Sequence, residues 1–234
     1  VGDFMRLSHP ELADFIYWKE NQIPVLVLES PVQYRKTIFE LSSQAAGEEG
    51  EFVLSLDYEP LDCADHLHVI RDYFSLTLDD RKLQNRFQTL LWQLIWEELA
   101  AQTDHLQQEI LTYLQTLSLH LDYPVSPLQG DYIQPLLKAV RYQISLEEME
   151  PLEQLMEYIK LYSALMKHQC FILVGAHSYF SSAELLQLYQ MAFYQKWRIL
   201  LIELKLDQIL PAEEVILLDQ DFCELRLDSP DLML

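Results

Sequence analysis

Four ionisable side chains at the ends of apolar runs are the first places to look for chemistry. Glu203 closes the run 199–202, Asp219 closes 215–218, and Asp221 follows two residues later. Carboxylates converging at strand ends could hold a magnesium ion, as in metal-dependent nucleases. A chain with 37 Asp and Glu, however, places some acids there by chance. His177, beside Ser178 and after the run 171–174, stands at another strand end, a good station for a catalytic group in an open α/β sheet. Adjacent Ser and His cannot form a triad alone, and no GxSxG turn is present. His66 and His68, two apart, would share a face of a strand but have no third metal ligand nearby.

Nucleotide chemistry lacks its loop. After the run 25–28 the chain reads ESPVQYRK, and after 171–174 it reads GAHSYFSS; neither is GxxxxGK[ST]. The five glycines, Gly2, Gly47, Gly50, Gly130 and Gly175, spell no dinucleotide fingerprint. Without such glycines backbone amides cannot wrap a triphosphate in the usual way, so no nucleotide is expected. Cys63, Cys170 and Cys223 are odd in number and far apart, which argues against a disulfide framework or a zinc site. Cys170 and Cys223 read as small hydrophobes. Calcium suits an acidic, oxygen-rich chain better. There is no EF-hand loop, and Asp122 and Asp131, which bracket a proline-rich break, are the best local pair.

The scarce cations matter because the chain carries 16 Lys and Arg against 37 Asp and Glu, a net charge of −21. Taken as a sum, that charge argues against nucleic acid, whose binding depends on a basic footprint. With 50% hydrophobic and 23% charged residues the chain is nonetheless no disordered acidic tail. Seven of the 16 cations fall in three tight groups: Arg35 and Lys36; Arg81, Lys82 and Arg86; Lys138 and Arg141. Each group reads either as a solvated helix face or as part of a positive stripe inside a negative field.

These residues need elements to hold them. The run 25–28 is a strand, and Pro31 begins a helix whose spacing predicts Val32, Ile38, Phe39 and Leu41 as its buried face. Residues 52–56, 68–70 and 74–78 read as strands. From Arg81 to about residue 121 there is no proline or glycine, and apolar residues recur at three and four. One unbroken helix there would be roughly 60 Å long, so a division near 102–104 or a protruding arm is expected. Further helices are expected over 132–140, 146–168 and, capped by Ser181, to about 195. Apolar strands at 171–175, 199–203 and 215–219 lack alternation, which favours parallel strands covered on both faces. The expected architecture is α/β, with residues 1–80 and 169–234 forming a split head and 81–168 a helical leg. The start lacks the pattern of a secretory signal, and no stretch approaches ~18 apolar residues. Cytoplasmic placement without a membrane partner is therefore expected.

The block VLVLESPVQYRKTIFELSSQAAGEEGEFVLS, residues 25–55, resembles the N-terminal signature of the type II-A CRISPR-associated spacer-acquisition accessory family. That signature is a strand, an ENP turn, an FRxLI-like helix and QxxGxxGxFVLS. Glu29-Ser30-Pro31, Tyr34-Arg35-Lys36, Gln44, Gly47, Gly50 and Phe52-Val53-Leu54-Ser55 stand at matching places. RDYFSL, residues 71–76, is similar to the family's D-x-F-x-L turn, and Asp79-Asp80-Arg81-Lys82-Leu83 to its N-x-K-K-x-L helix start. LHLDYPVSPLQGDYIQPLLKAV and FILVGAHSYFSSAELLQLYQMAFYQKWRILLIE resemble its arm connection and its strand–turn–helix–strand unit. Ser30 and Asp80 replace the usual asparagines, Arg81 replaces a lysine, and the first 18 residues match the usual hairpin poorly.

The resemblance implies a head like that of P-loop NTPases, with a mostly parallel sheet and no working phosphate loop, plus an inserted helical leg. It implies a calcium-supported homotetrameric ring that takes ends of linear double-stranded DNA into a basic central channel. Such a protein is not an enzyme and works beside the CRISPR integrase complex and the guide-dependent nuclease. By position, Arg35, Lys36, Arg81, Lys82, Arg86, Lys138 and Arg141 would contact DNA. The competing readings are a scaffold that has lost DNA binding, and a nuclease using Glu203, Asp219 and Asp221.

Overall fold

An antiparallel pair, β1 (Met5–Ser8) and β2 (Ile16–Tyr17), precedes the wholly buried strand β3 (Ile23–Leu28). Pro31 opens helix α1 (Pro31–Ala45), where a missing N–H costs nothing, and the Ser30 hydroxyl accepts from the Gln33 N–H as its cap. Then come β4 (Val53–Leu56), β5 (Glu59–Leu61), α2 (Cys63–His66) and β6 (Leu67–Ile70). Helices α3 (Arg81–Glu97), α4 (Ala100–Leu119), α5 (Ile133–Ala139) and α6 (Pro151–Leu165) follow. The chain ends with β7 (Cys170–Val174), α7 (Ala176–Tyr179), α8 (Ser182–Gln195), β8 (Arg198–Glu203), β9 (Glu213–Leu218) and β10 (Glu224–Asp228). This computed structural model describes residues 5–76, 81–128, 130–140, 149–166 and 170–228.

Contacts divide the chain into two units, Val1–Leu76 with Leu146–Leu234, and Thr77–Ser145. The first contains a six-stranded sheet in the order β10-β9-β3-β8-β7-β6, parallel except for β10, and a four-stranded antiparallel sheet in the order β2-β1-β4-β5. This is the α/β, mostly parallel head expected from the sequence. Alternate residues divide the large sheet's two faces. Leu26, Leu28, Ile172, Leu200, Ile202 and Ile216 join Leu7, Leu41 and Leu54 in one buried cluster. On the opposite face, Phe171 meets Tyr162 of α6 edge-on, with ring centroids 5.9 Å apart. Burial on both faces explains why these strands read as continuous apolar runs.

Several expectations change. The predicted buried face of α1 holds only in part: Leu41 is buried and Ile38 half-buried as expected, but Val32 and Phe39 are 67% and 72% exposed, and Gln33, Thr37 and Gln44 are buried in their place. Gln44 is buried because its side-chain amide donates to Phe52 O at 2.9 Å and accepts from Phe52 N at 3.1 Å. Gly50 makes room for this pairing, since a Cβ there would lie 2.5 Å from the Gln44 side chain. The sequence spacing Q-x5-G-x-F thus has a mechanical cause. Phe74 is exposed and lies outside any strand. The long helix divides at Glu98–Leu99, a little before the expected break. The leg, expected over 81–168, ends at Ser145, because α6 buries Leu155, Tyr158, Ile159 and Tyr162 within the first unit. His66 ends α2 and shares no strand face with His68, which stacks on Tyr162 at 4.0 Å. Cys170 is buried as expected, whereas Cys223 is exposed.

In the second unit α3 buries Leu83 and packs on α4. Helix α4 buries none of its side chains, and Leu106, Tyr113 and Leu117 are exposed. An amphipathic helix ordinarily covers its apolar stripe.

Candidate functional site

Helix α3 opens with Arg81, Lys82 and Arg86, all exposed and within its first two turns. Cations at a helix N-terminus oppose the macrodipole, so helix stability does not account for them. The same placement suits an anion, which both the side chains and the helix terminus attract. Arg81 and Arg86 make no ion pair among the described residues. Lys138, in the last turn of α5, is exposed on the same unit, and Arg141 lies outside the described residues. On the other unit, Arg35 is exposed on α1. Its neighbour Lys36 is committed to an acid, with Nζ 2.7 Å from Glu11 Oε1. That contact holds the Lys36 pKa above, and the Glu11 pKa below, their ordinary values.

A second cluster brings together Glu203 at the end of β8, Glu213 at the start of β9, His177 of α7 and Tyr189 of α8. Gly175, at φ +69°, turns the chain from β7 into α7, a conformation glycine adopts freely. The His177 N–H then donates to Glu203 Oε1 at 2.9 Å, and His177 Nε2 lies 2.8 Å from Glu213 Oε1. Glu213 Oε1 also accepts from the Tyr189 hydroxyl at 2.5 Å, and its Oε2 from the Leu210 N–H at 2.7 Å. Its side chain is fully buried. Burial works against the charged form of His177, but the Glu213 hydrogen bond and the charges of Glu213 and Glu203 outweigh it and raise its pKa. Burial pushes Glu203 up to about 7, against the opposing His177 N–H.

A carboxyl with a raised folded pKa contributes stability that is complete below its free value and is lost as pH climbs through the folded value. For Glu203 that window runs from 4.5 to about 7. Glu203→Gln cannot titrate. Wild type is therefore expected to lose stability relative to the variant across this window, by on the order of 3 kcal/mol. Thermal midpoints of the two proteins at pH 5, 6 and 7 check this, and a constant difference would contradict it.

Sequence reasoning singled out His177 and Glu203 but missed Glu213 and Tyr189. The available signal was the acidic pair 213–214 opening an otherwise apolar strand that is covered on both faces. Asp219 and Asp221 do not join Glu203. Both lie beyond the last residue of β9, and among the described residues they form no ligand cluster with Glu203. Asp219 Oδ1 instead accepts from the N–H groups of Asp221 and Cys223, each at 2.8 Å.

The calcium candidates are also partly engaged. Asp131 Oδ1 accepts from Ile133 N at 2.9 Å and Gln134 N at 3.2 Å, capping α5, while Asp122 is exposed. Two such carboxylates supply only a fraction of the six to eight oxygens calcium takes. Among the described residues, the cluster whose ligand atoms lie close enough to share an ion is His9, Glu40 and Glu51.

No curated protein matches this chain. Solved structures with a similar backbone include a nucleotide-free ATP-binding cassette of an ABC transporter, at 10% identity and TM-score 0.44 over 92% of this chain and 87% of that one. A second cassette, in its ADP conformation, has 9% identity and TM-score 0.45 over 93% and 87%. A metal-chelate-type ABC transporter in an inward-facing conformation has 10% identity and TM-score 0.44 over 97% and 84%. The family model described as CRISPR-associated protein (Cas_Csn2) matches residues 44–222, from the buried Gln44 through α3 and the strands β6, β7 and β8 to just beyond β9. The chain therefore belongs to the Csn2 family of CRISPR-associated proteins.

Proposed function

We propose that this CRISPR adaptation-associated protein is a non-catalytic binder of linear double-stranded DNA ends that works as a homotetrameric ring. The observation that carries the reading is the group Arg81, Lys82 and Arg86 at the N-terminus of α3, an arrangement suited to phosphate and costly to the helix itself. Lys138 adds an exposed cation on the same unit, and by sequence position Arg35 and Arg141 are further candidates for contact with DNA. DNA held this way is gripped by its backbone, without base readout.

The uncovered apolar residues of α4 support assembly with further copies, and cyclic symmetry would repeat a sparse cation group around one duplex. The link between β3 and α1 supports a role without nucleotide. It is two residues long, Glu29 and Ser30, and the adjoining end of β8 carries the buried Glu203. Calcium bound through Asp122 and Asp131 would neutralise part of the acidic charge during assembly, with water or a second copy completing its oxygen shell. The integrase complex and the guide-dependent nuclease are the partners this reading implies.

The test is retention of equal-sequence linear and closed circular duplex, measured together with oligomer mass, in calcium and in chelator. Linear duplex is expected to be retained and the circle lost, with the tetramer present in calcium. Equal retention of both forms would overturn end-threading. No retention of either at low salt with millimolar calcium would favour the scaffold.

A further inference from the structure

We propose that His9, Glu40 and Glu51 form a site for a first-row divalent cation of the zinc type, separate from any calcium bound through Asp122 and Asp131. The three residues come from three places: the turn after β1, the body of α1, and the residue leading into β4. His9 Nε2 lies 3.5 Å from Glu40 Oε2 and 3.7 Å from Glu51 Oε2, and one ligand atom from each residue falls within 4.8 Å of the others. Zinc–nitrogen and zinc–oxygen bonds of about 2.0–2.2 Å place tetrahedral ligands about 3.3–3.6 Å apart, close to the two histidine separations.

An independent observation points to a ligand. The His9 side chain is 4% exposed, yet its Nε2 has no hydrogen-bond partner. Buried polar atoms in folded proteins are almost always satisfied, and this one faces two carboxylates at distances too long for a hydrogen bond. The ring is held by Phe52, at a centroid distance of 4.4 Å, and by the Glu11 N–H, 3.2 Å from Nδ1. With Nδ1 accepting, the ring proton sits on Nε2. When a metal binds Nε2, that proton passes through solvent to Nδ1, and the long Glu11 N–H contact gives way. Glu11 Oε2 lies 3.9 Å from Nδ1, and on closing to hydrogen-bond distance it would be the carboxylate acceptor that a metal-bound histidine characteristically uses. Glu51 is further oriented through its backbone, whose N–H donates to Glu40 Oε1 at 2.7 Å. An open cleft of 380 Å³ lined by Pro10, Phe15, Glu51 and Val53 leads to the imidazole and leaves room for a water as fourth ligand.

The donor set decides the class of metal. One imidazole and two carboxylates suit zinc and its neighbours, whereas calcium takes oxygen only and in larger number. A bound ion would pin the turn after β1 to α1 and to the entry of β4.

The experiment uses the full chain after chelator treatment and titrates zinc chloride by calorimetry, with cobalt(II) absorption reporting the ligand geometry. Expected are one zinc per chain, a raised thermal midpoint, a visible band of tetrahedral cobalt, and no displacement by a tenfold excess of calcium. His9→Gln and Glu51→Gln are each expected to weaken zinc at least about tenfold. Should His9→Gln fail to fold, Glu51→Gln decides, because its side chain is 63% exposed and its loss leaves the core intact. Less than one zinc per chain, affinity unchanged in Glu51→Gln, or ready displacement by calcium would each overturn the site.

Discussion

Replacing Arg81 and Lys82 together with glutamate is expected to weaken binding of linear duplex by at least about tenfold at physiological salt, equally for all sequences. The salt dependence should become shallower, by roughly one unit of log–log slope for each phosphate that is no longer neutralised. Both effects have the same origin, because each neutralised phosphate releases a counterion and the entropy of that release favours binding. The acidic chain makes the effect larger. At −21 per copy the exterior repels DNA, so a small group of cations must supply nearly all of the attraction. Both residues are exposed in the first turn of α3, so the substitution leaves the buried Leu83 in place. It also puts acids where the helix dipole favours them, which should preserve the helix. Gel shifts and fluorescence anisotropy across a salt series, with oligomer mass measured alongside, read the outcome. Unchanged affinity and slope in an intact assembly would remove α3 from the DNA path.

Glu213→Ala is expected to produce the largest loss of stability, about 3–5 kcal/mol, or roughly 10 °C in thermal midpoint for a chain of this size. Its carboxylate accepts from His177, Tyr189 and the Leu210 N–H, so the substitution strands three donors in the core as well as leaving a cavity. Burial and the nearby Glu213 charge hold the Tyr189 hydroxyl far above its ordinary pKa, which keeps it a donor at every accessible pH. The matched control is Glu157→Ala. It breaks the pair with Lys160, in which both side chains are well exposed, and should cost no more than about 0.5 kcal/mol. Thermal melts of both variants give the comparison. A Glu213→Ala protein melting within about 2 °C of wild type would show that the network contributes little.

The parts of this protein that were legible in its sequence are those governed by neighbours along the chain. Three apolar runs without alternation announced β7, β8 and β9, because strands covered on both faces have no polar side to show. Ser181 and Glu184 announced the capping box of α8, a contact spanning three residues. The residues carrying the family resemblance were legible for the same reason. Gln44, Gly47, Gly50 and Phe52 lie within one short segment, and the amide pairing of Gln44 with Phe52, for which Gly50 makes room, closes inside it. The sense of α1 was not legible. Val32 and Phe39 suggested part of a hydrophobic face, but the helix exposes them and buries polar Gln33, whose amide donates to Glu11 from before β2.

Sequence by itself determined that the chain is an α/β protein of this family, that it lacks a glycine-rich phosphate loop, and that its cations are grouped despite a strongly acidic total. Tertiary structure alone decided which charges remain available. It ties Lys36 to Glu11, sets Glu213 against His177 from 36 residues away, and gathers His9 with Glu40 and Glu51. The physical reason is that periodicity records which side of an element avoids water, a property of each element alone. The partner of a buried polar group is set by strand order and register, and it leaves no periodic trace along the chain.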